Sequence, residues 1–439
     1  MSTDRSARFS WRRLAVLATV LALVPIGVGG VNGAEAPLVS MFAEVCHVEL
    51  KEFDGLRLLG PFAKSAAVQC ENPRFTTALA ESGYAPDGVR TAFPLKRGGT
   101  TERIEVRLIP VQRPPFGSRW IGRVGADSSG FASLVVKSGD PVVRESDVIR
   151  PTVFTMDAWL ADGTQVQIRP TSAEGVYVVR QLDPSLLPPH LDPLPQTALA
   201  KPNPCAPKSS PVAEAELKVL ALYTAQALSE FNSKSALRFE VDQAVLNFDS
   251  VLQFSGLSTT AQPRYATLAA CLPCGVDESG SYREILGRLA SDTSVARLRD
   301  AHAADVVFLV VANASARGLS RRMQVVDAAF EADAFVVVQA KAAAADLTLA
   351  HEFGHVLGCC HEIDDKCKLP MISSAGFGYH FDHPILKVHV GTVMSRVGNR
   401  MPLFSSPSLS YFGVLVGSAA ADNASVVRST FDTVGGFRP

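Results

Sequence analysis

Neither sign of charge dominates this 439-residue chain, in which 42 basic side chains meet 43 acidic ones for a formal net charge of −1. With the two signs mixed along the sequence there is no basic stripe to hold a phosphate backbone, which excludes a nucleic-acid partner. Past the first residues no run is long and apolar enough to cross a bilayer, so no stable membrane association is expected. A closed cysteine site for structural zinc is also missing: Cys271 and Cys274 form CLPC, but no second pair follows at finger-like spacing. Histidine is scarce, nine in all. Those at 47, 190, 302, 380, 383 and 389 show no metal-like spacing, and the remaining three stand together.

These three belong to HEFGHVLGCCH, where His351, Glu352, His355, Gly358 and His361 read H-E-x-x-H-x-x-G-x-x-H. On a helix, residues four apart share a face, so His351 and His355 can reach one ion. The preceding ADLTLA is helix-compatible, with Asp346 as the expected N-cap. Gly358 permits a left-handed residue at the helix end, which turns the chain sharply and returns His361 as a third ligand. Three imidazoles with a fourth position left to water are the ligand set of catalytic zinc, so one Zn2+ is the expected cofactor. Glu352 points off the ligand face, as suits a base acting on the attacking water. The pattern points to a zinc hydrolase.

The same pattern resembles the metzincin clan of zinc endopeptidases, whose motif includes the glycine and the third histidine. Further on, GTVMS (391–395) looks like the Met-turn that underlies the zinc site in that clan, with Met394 as its methionine. Astacins and serralysins carry Tyr two positions after that residue, where this chain has Arg396. The similarity is therefore to the reprolysin-like branch and its secreted bacterial members, including peptidyl-Asp metalloendopeptidases. ELKVLALYTAQA, ESGSYREILGRL, ADVVFLVVAN, AFVVVQAK and LFSSPSLSYFGVLVGS extend the likeness over about residues 215–439. It implies an α/β (α+β) catalytic domain over 211–439, with the zinc in a cleft between an upper subdomain and a smaller one after Gly358. An extended peptide would pair with an edge strand, and the partners would be protein or peptide substrates. Family members often carry a cysteine just before the zinc helix, where this chain has AAAAD, so disulfides do not transfer.

The catalytic half reads as strands at 217–223, 305–311 and 334–339, an edge strand at 319–326, and helices at 236–254, 282–289 and 293–301. Such alternation argues for an α/β sheet. Ahead of it, residues 37–210 carry short strand-like runs, RIEVRLIPV, ASLVVKS, TQVQIRP and GVYVVRQL among them, which read as a small β-rich domain. PSLLPPHLDPLPQ and KPNPCAPKSSP then have the composition of an extended, protease-accessible linker. The family resemblance implies a pro-domain here, hence a zymogen.

At the start, Arg5, Arg8, Arg12 and Arg13 precede an apolar run (14–28) and the A-x-A site Ala34-Glu35-Ala36, which reads as a signal peptide over 1–36. A secreted protein follows, and with it an oxidising compartment in which cysteines pair. Cys46 and Cys70 are expected to bridge, Cys271 and Cys274 to have a disulfide role, and Cys359 and Cys360 to staple the His361 loop with Cys367. Cys205, in the linker, is a second candidate zinc ligand, which would displace water and hold the precursor latent. Arg396 and Arg400 follow the Met-turn and Arg321 and Arg322 lie in the edge-strand region. In a partly desolvated pocket, guanidinium groups favour carboxylates, and cleavage before Asp, less efficiently Glu, is the expectation. Two other readings stay open: a secreted zinc-binding adhesion protein without turnover, which Glu352 argues against, and a membrane-tethered peptidase.

Overall fold

Runs rich in β-branched residues, punctuated by turns, build the amino-terminal half. The computed structural model describes residues 38–44, 46, 62–81, 88–111, 119–138, 142–144, 147–149, 152–197, 214–231, 233–363 and 371–438. The expected signal peptide, Cys205, Cys367 and the second half of the proline-dense stretch lie outside them. Nine strands form one sheet in the order Leu38–Ser40, Val89–Arg97, Thr100–Pro110, Arg119–Val124, Gly130–Ser138, Thr152–Trp159, Gln165–Pro170, Val176–Leu182 and Ala63–Cys70. All neighbours after the parallel first pair are antiparallel. One face buries Trp120, Phe154, Met156 and Tyr177, with the Phe154 and Tyr177 rings stacked 4.2 Å apart. Cys46 and Cys70 are bonded.

The second half forms a six-stranded sheet ordered Leu194–Pro195, Gly318–Arg322, Phe335–Gln339, Val306–Val311, Ala215–Tyr223 and Arg264–Pro273. VVFLVV and, up to Gln339, FVVVQ are apolar because both faces of these parallel strands are covered. On one side the long helix Lys234–Phe254 packs with the helix Thr348–Val356, Phe248 meeting Phe353 edge-on at 5.2 Å. The other face is covered by Tyr282–Ser291 and Thr293–Ala301. The carboxy-terminal helix Asn423–Val434, capped by Asp422, buries Val427 and Phe431 against the first layer.

Two cysteine expectations fail. Cys271 and Cys274 are free: Cys271 faces the core from the strand Arg264–Pro273, and three residues further along an extended chain Cys274 faces the other way. Burial pushes the Cys271 thiol up to about 11. Cys359 is free too, buried with its thiol 3.8 Å from the Asn423 carbonyl, whereas Cys360 is disulfide-bonded.

Residues from Ala36 onward form one compact unit, and the seam between its two large sheets combines a polar network with an apolar patch. Toward the nine-stranded sheet the long helix presents Glu240, Gln243, Asn247 and Asp249, beside Phe239 and Leu246, which pack on Ile121 and Val135. Thr155 donates to Gln243 at 2.9 Å, Ser133 to Asn247 at 2.6 Å, and Asn247 to Asp157 at 2.7 Å. Arg169 pairs with Asp157 and Glu240, each at 2.8 Å, and Arg119 with Asp249 at 3.2 Å. Among the described residues no helix is long and apolar enough to cross a membrane.

Candidate metal centre

The helix Thr348–Val356 starts without the expected cap. Asp346 and Leu347 are both left-handed, with φ of 48° and 57°, and no side chain caps the first turn. The Asp346 carboxylate is drawn instead to two guanidiniums, Arg317 at 2.6 Å and Arg400 at 3.4 Å, a stronger attraction than a free backbone N–H offers.

One turn apart on this helix, His351 and His355 each set Nδ1 2.9 Å from a backbone carbonyl, Val393 and Cys359 respectively. A carbonyl only accepts, so Nδ1 carries the proton in both rings and Nε2 keeps its lone pair. Both lone pairs point at His361 Nε2, 3.0 and 2.9 Å away. Burial, with Arg400 and the neighbouring imidazoles adding to it for His351, holds both rings well below the ordinary histidine pKa. Three buried imidazole nitrogens converging on one point fit a divalent cation of the zinc type.

His361 reaches this point because the helix ends at once. Gly358 sits at φ +93°, and a Cβ there would come within 2.2 Å of Ile372 Cδ1, so only glycine allows the turn. Met394 is buried in a tight turn in which Ser395 N–H donates to Thr392 at 2.8 Å. Its sulfur lies 2.2 Å from where a Cβ on Gly354 would stand, so it packs against the bare helix side between His351 and His355.

Glu352 is buried beside the cluster. Its Oε2 accepts a 2.6 Å hydrogen bond from Ser320, while Oε1 has no partner among the described residues. Burial pushes the carboxyl up to about 7, against the pull of Ser320, Arg400 and Arg317.

The four arginines expected around a pocket separate. Arg400 is 3% exposed, donating to the Ser395 carbonyl at 2.6 Å and pairing with Asp346, so it braces the turn. Arg322 is buried with Nη1 3.2 Å from Cys360 Sγ, and Arg321 pairs with Asp333 at 3.3 Å. Only Arg396 holds a carboxylate beside the metal cluster: its Nη1 is 2.8 Å from Asp192, whose Oδ1 is 3.8 Å from His361 Nδ1.

Ser320, Arg317 and His190 were not singled out in the sequence. Nothing in their own neighbourhoods marks them, because each meets the centre through a strand or segment distant in sequence. His380 is half-buried and His383 is a packing residue, its Nδ1 accepting from the Ile385 and Leu386 N–H groups.

Residues 214–380 match metallo-peptidase family M12, Reprolysin_5. This half is similar to M12 metallopeptidases. At family level that likeness implies a peptidase hydrolase that depends on zinc and acts on proteins or peptides. No curated protein matches the chain. Among solved structures, a chain of "Structure of a chaperone-substrate complex" is similar at 18% identity and a TM-score of 0.40, over 52% of this chain and 36% of that one. The present chain thus spans about a third of that protein's length. Metalloproteinase-II from Bacteroides fragilis is similar at 10% identity and a TM-score of 0.40, over 81% of this chain and 95% of that one.

Proposed function

We propose that this protein is a secreted zinc-dependent endopeptidase made as a precursor, with residues 37–210 as its pro-domain and linker. The observation that carries the reading is the cluster itself: His351, His355 and His361 bring their Nε2 atoms to one point, unprotonated in the first two, with Glu352 Oε1 beside them. Bound there, zinc would polarise the scissile carbonyl and make a bound water more acidic. The chain's own residues do the rest. Val393 and Cys359 carbonyls fix the two helical imidazoles in the ligating tautomer. Ser320 anchors one Glu352 oxygen, leaving the other to take the proton of the attacking water and return it to the departing amine. Met394 keeps the floor of the site packed, in the role of the Met-turn residue.

For specificity, Arg396 is the guanidinium that supports a preference for acidic side chains, since a carboxylate already sits on it. The polar network in the seam between the halves supports a removable pro-domain, because separable surfaces are more polar than a core. Digestion of a peptide library by the purified active form, with and without a zinc chelator, tests the assignment. Cleavage that survives removal of the metal would refute it. Amino-terminal sequencing of the exported protein tests the signal peptide and the pro-domain boundary.

A further inference from the structure

Residues 188–197 leave the nine-stranded sheet and run parallel to Gly318–Arg322 on its outer side, Leu194 beside Arg321 and Pro195 beside Arg322. Both ends are tied down. The Arg317 backbone N–H donates to the Pro189 carbonyl at 3.1 Å and its Nε to the Pro188 carbonyl at 2.8 Å. At the far end Arg321 donates to the Pro195 carbonyl at 3.0 Å, Gln196 and Gln324 exchange bonds at 3.2 Å, and the Thr197 hydroxyl donates to Asp333 at 2.7 Å. Leu194 is buried in the apolar cluster of Leu319 and Phe335. This is the first half of the stretch expected to be a linker. Its prolines fix an extended backbone in advance, which suits it to lie along a strand.

Between the two anchors the chain brings His190 to the metal cluster. Its ring centre is 4.7 Å from that of His351, and ligand atoms of His190, His351 and Glu352 lie within 4.8 Å of one another. Both His190 ring nitrogens are buried without a hydrogen-bond partner among the described residues. Burying an imidazole with neither nitrogen satisfied is costly, and with a ligand atom within 4.8 Å of that of His351 a cation shared with His351 is the partner that would remove the cost. Asp192 does not compete for that role, because it faces His361 Nδ1, the nitrogen turned away from the cluster, and is held by Arg396.

We infer that His190 is a fourth ligand to the metal in the intact chain, and that residues 188–197 are a built-in occupant of the substrate cleft. The inference rests on the zinc-peptidase reading and adds to it the device that keeps the site silent. Four protein ligands close a tetrahedral zinc, which leaves water no position and Glu352 no proton to take. The same segment covers Gly318–Arg322, the strand on which a substrate would pair. Withdrawing it opens both at once.

Cobalt(II) in place of zinc reports the ligand set through its visible spectrum, and azide reports an open position. In the full-length protein, the wild type is expected to hold cobalt with a spectrum that azide leaves unchanged. His190→Ala should still bind about one cobalt per chain, with an altered spectrum and saturable uptake of azide. Leu194→Asp, which should lift the segment without touching the imidazole, should behave like His190→Ala. Asp192→Asn should keep the wild-type spectrum. A wild-type protein that takes up azide as readily as His190→Ala overturns the inference and leaves the metal site standing. Cobalt binding that His355→Ala does not weaken overturns the metal-site reading itself.

Discussion

His351, His355 and His361 come together within a single helix and the turn that ends it, while His190 arrives at the same place from the other half of the chain. The first arrangement is written in local spacing: a helical repeat sets two rings on one face, and a glycine at φ +93° returns the third. The second depends on a nine-stranded sheet, a polar network in the seam and a strand pairing, each made between residues far apart in sequence. Local chemistry builds the centre and long-range packing covers it. The two can therefore be separated by mutation.

The sharpest separation is at the centre. In the form freed of its amino-terminal half, Glu352→Gln should keep about one zinc per chain yet lose peptidase activity, by at least ~100-fold, the lower range for a positioned general base. His355→Ala should lose both metal and activity. Metal analysis beside a casein assay distinguishes them, and a Glu352→Gln variant cleaving at the wild-type rate would remove the assigned base. Glu352→Gln should not loosen residues 188–197 in the full-length protein, since their other anchors lie on Arg317, Arg321, Gln324 and Asp333.

The seam is the next largest. Asn247 donates to Asp157 at 2.7 Å and to the Ala344 carbonyl at 3.1 Å, while its own oxygen accepts from Ser133 and Gln243. Asn247→Ala would leave several buried groups short of a partner, a loss of about 2 kcal/mol in the full-length protein. Chemical denaturation measures it. The same change in a protein freed of its amino-terminal half should cost much less, since Ser133 and Asp157 would be gone. Equal losses in both forms would mean that the seam contributes nothing to holding the halves together.

What the sequence discloses follows the same division. The strands Ala215–Tyr223, Val306–Val311 and Phe335–Gln339 and the helices Lys234–Phe254, Tyr282–Ser291 and Thr293–Ala301 lie within two residues of their expected bounds, because apolar runs and helical periodicity are local signals. The strand Arg264–Pro273 was not foreseen: RYATLAACLP is rich in small residues and alternates weakly. Asp346 looked like a cap and is an ion-pair partner, because Arg317 and Arg400 approach it from other elements. The proline-dense stretch looked like a linker by composition. Composition does not say which groove an extended chain will occupy.

Arg396 lies where the two arrangements touch, since the residue expected to select substrate now grips Asp192 of the covering segment. With the cleft free, Arg396→Ala should lower the preference for Asp over Ala after the scissile bond at least about tenfold, below the range for a fully buried charge pair because Arg396 stays a third exposed. Paired peptides differing only at that position give the ratio. A wild-type enzyme preferring large apolar side chains there would end the acidic-pocket proposal and leave the peptidase assignment intact.

The smallest effect is expected at Ser320, which the sequence did not single out and which belongs to both regions. It lies on Gly318–Arg322, the strand that residues 188–197 cover, and its hydroxyl fixes Glu352 Oε2 at 2.6 Å. Ser320→Ala removes one hydrogen bond to a carboxylate that burial pushes up to about 7. Such a bond contributes about 1 kcal/mol net, so kcat should fall roughly fivefold. The metal ligands are untouched, so zinc content should not change. KM should hold as well, because backbone atoms of the strand do the pairing with an extended peptide. A rise in KM with kcat unchanged would show that Ser320 serves the substrate strand and not the base. Loss of zinc would show instead that Glu352 and its anchor help to hold the metal, and the division between a locally written centre and its long-range cover would have to be redrawn at this residue.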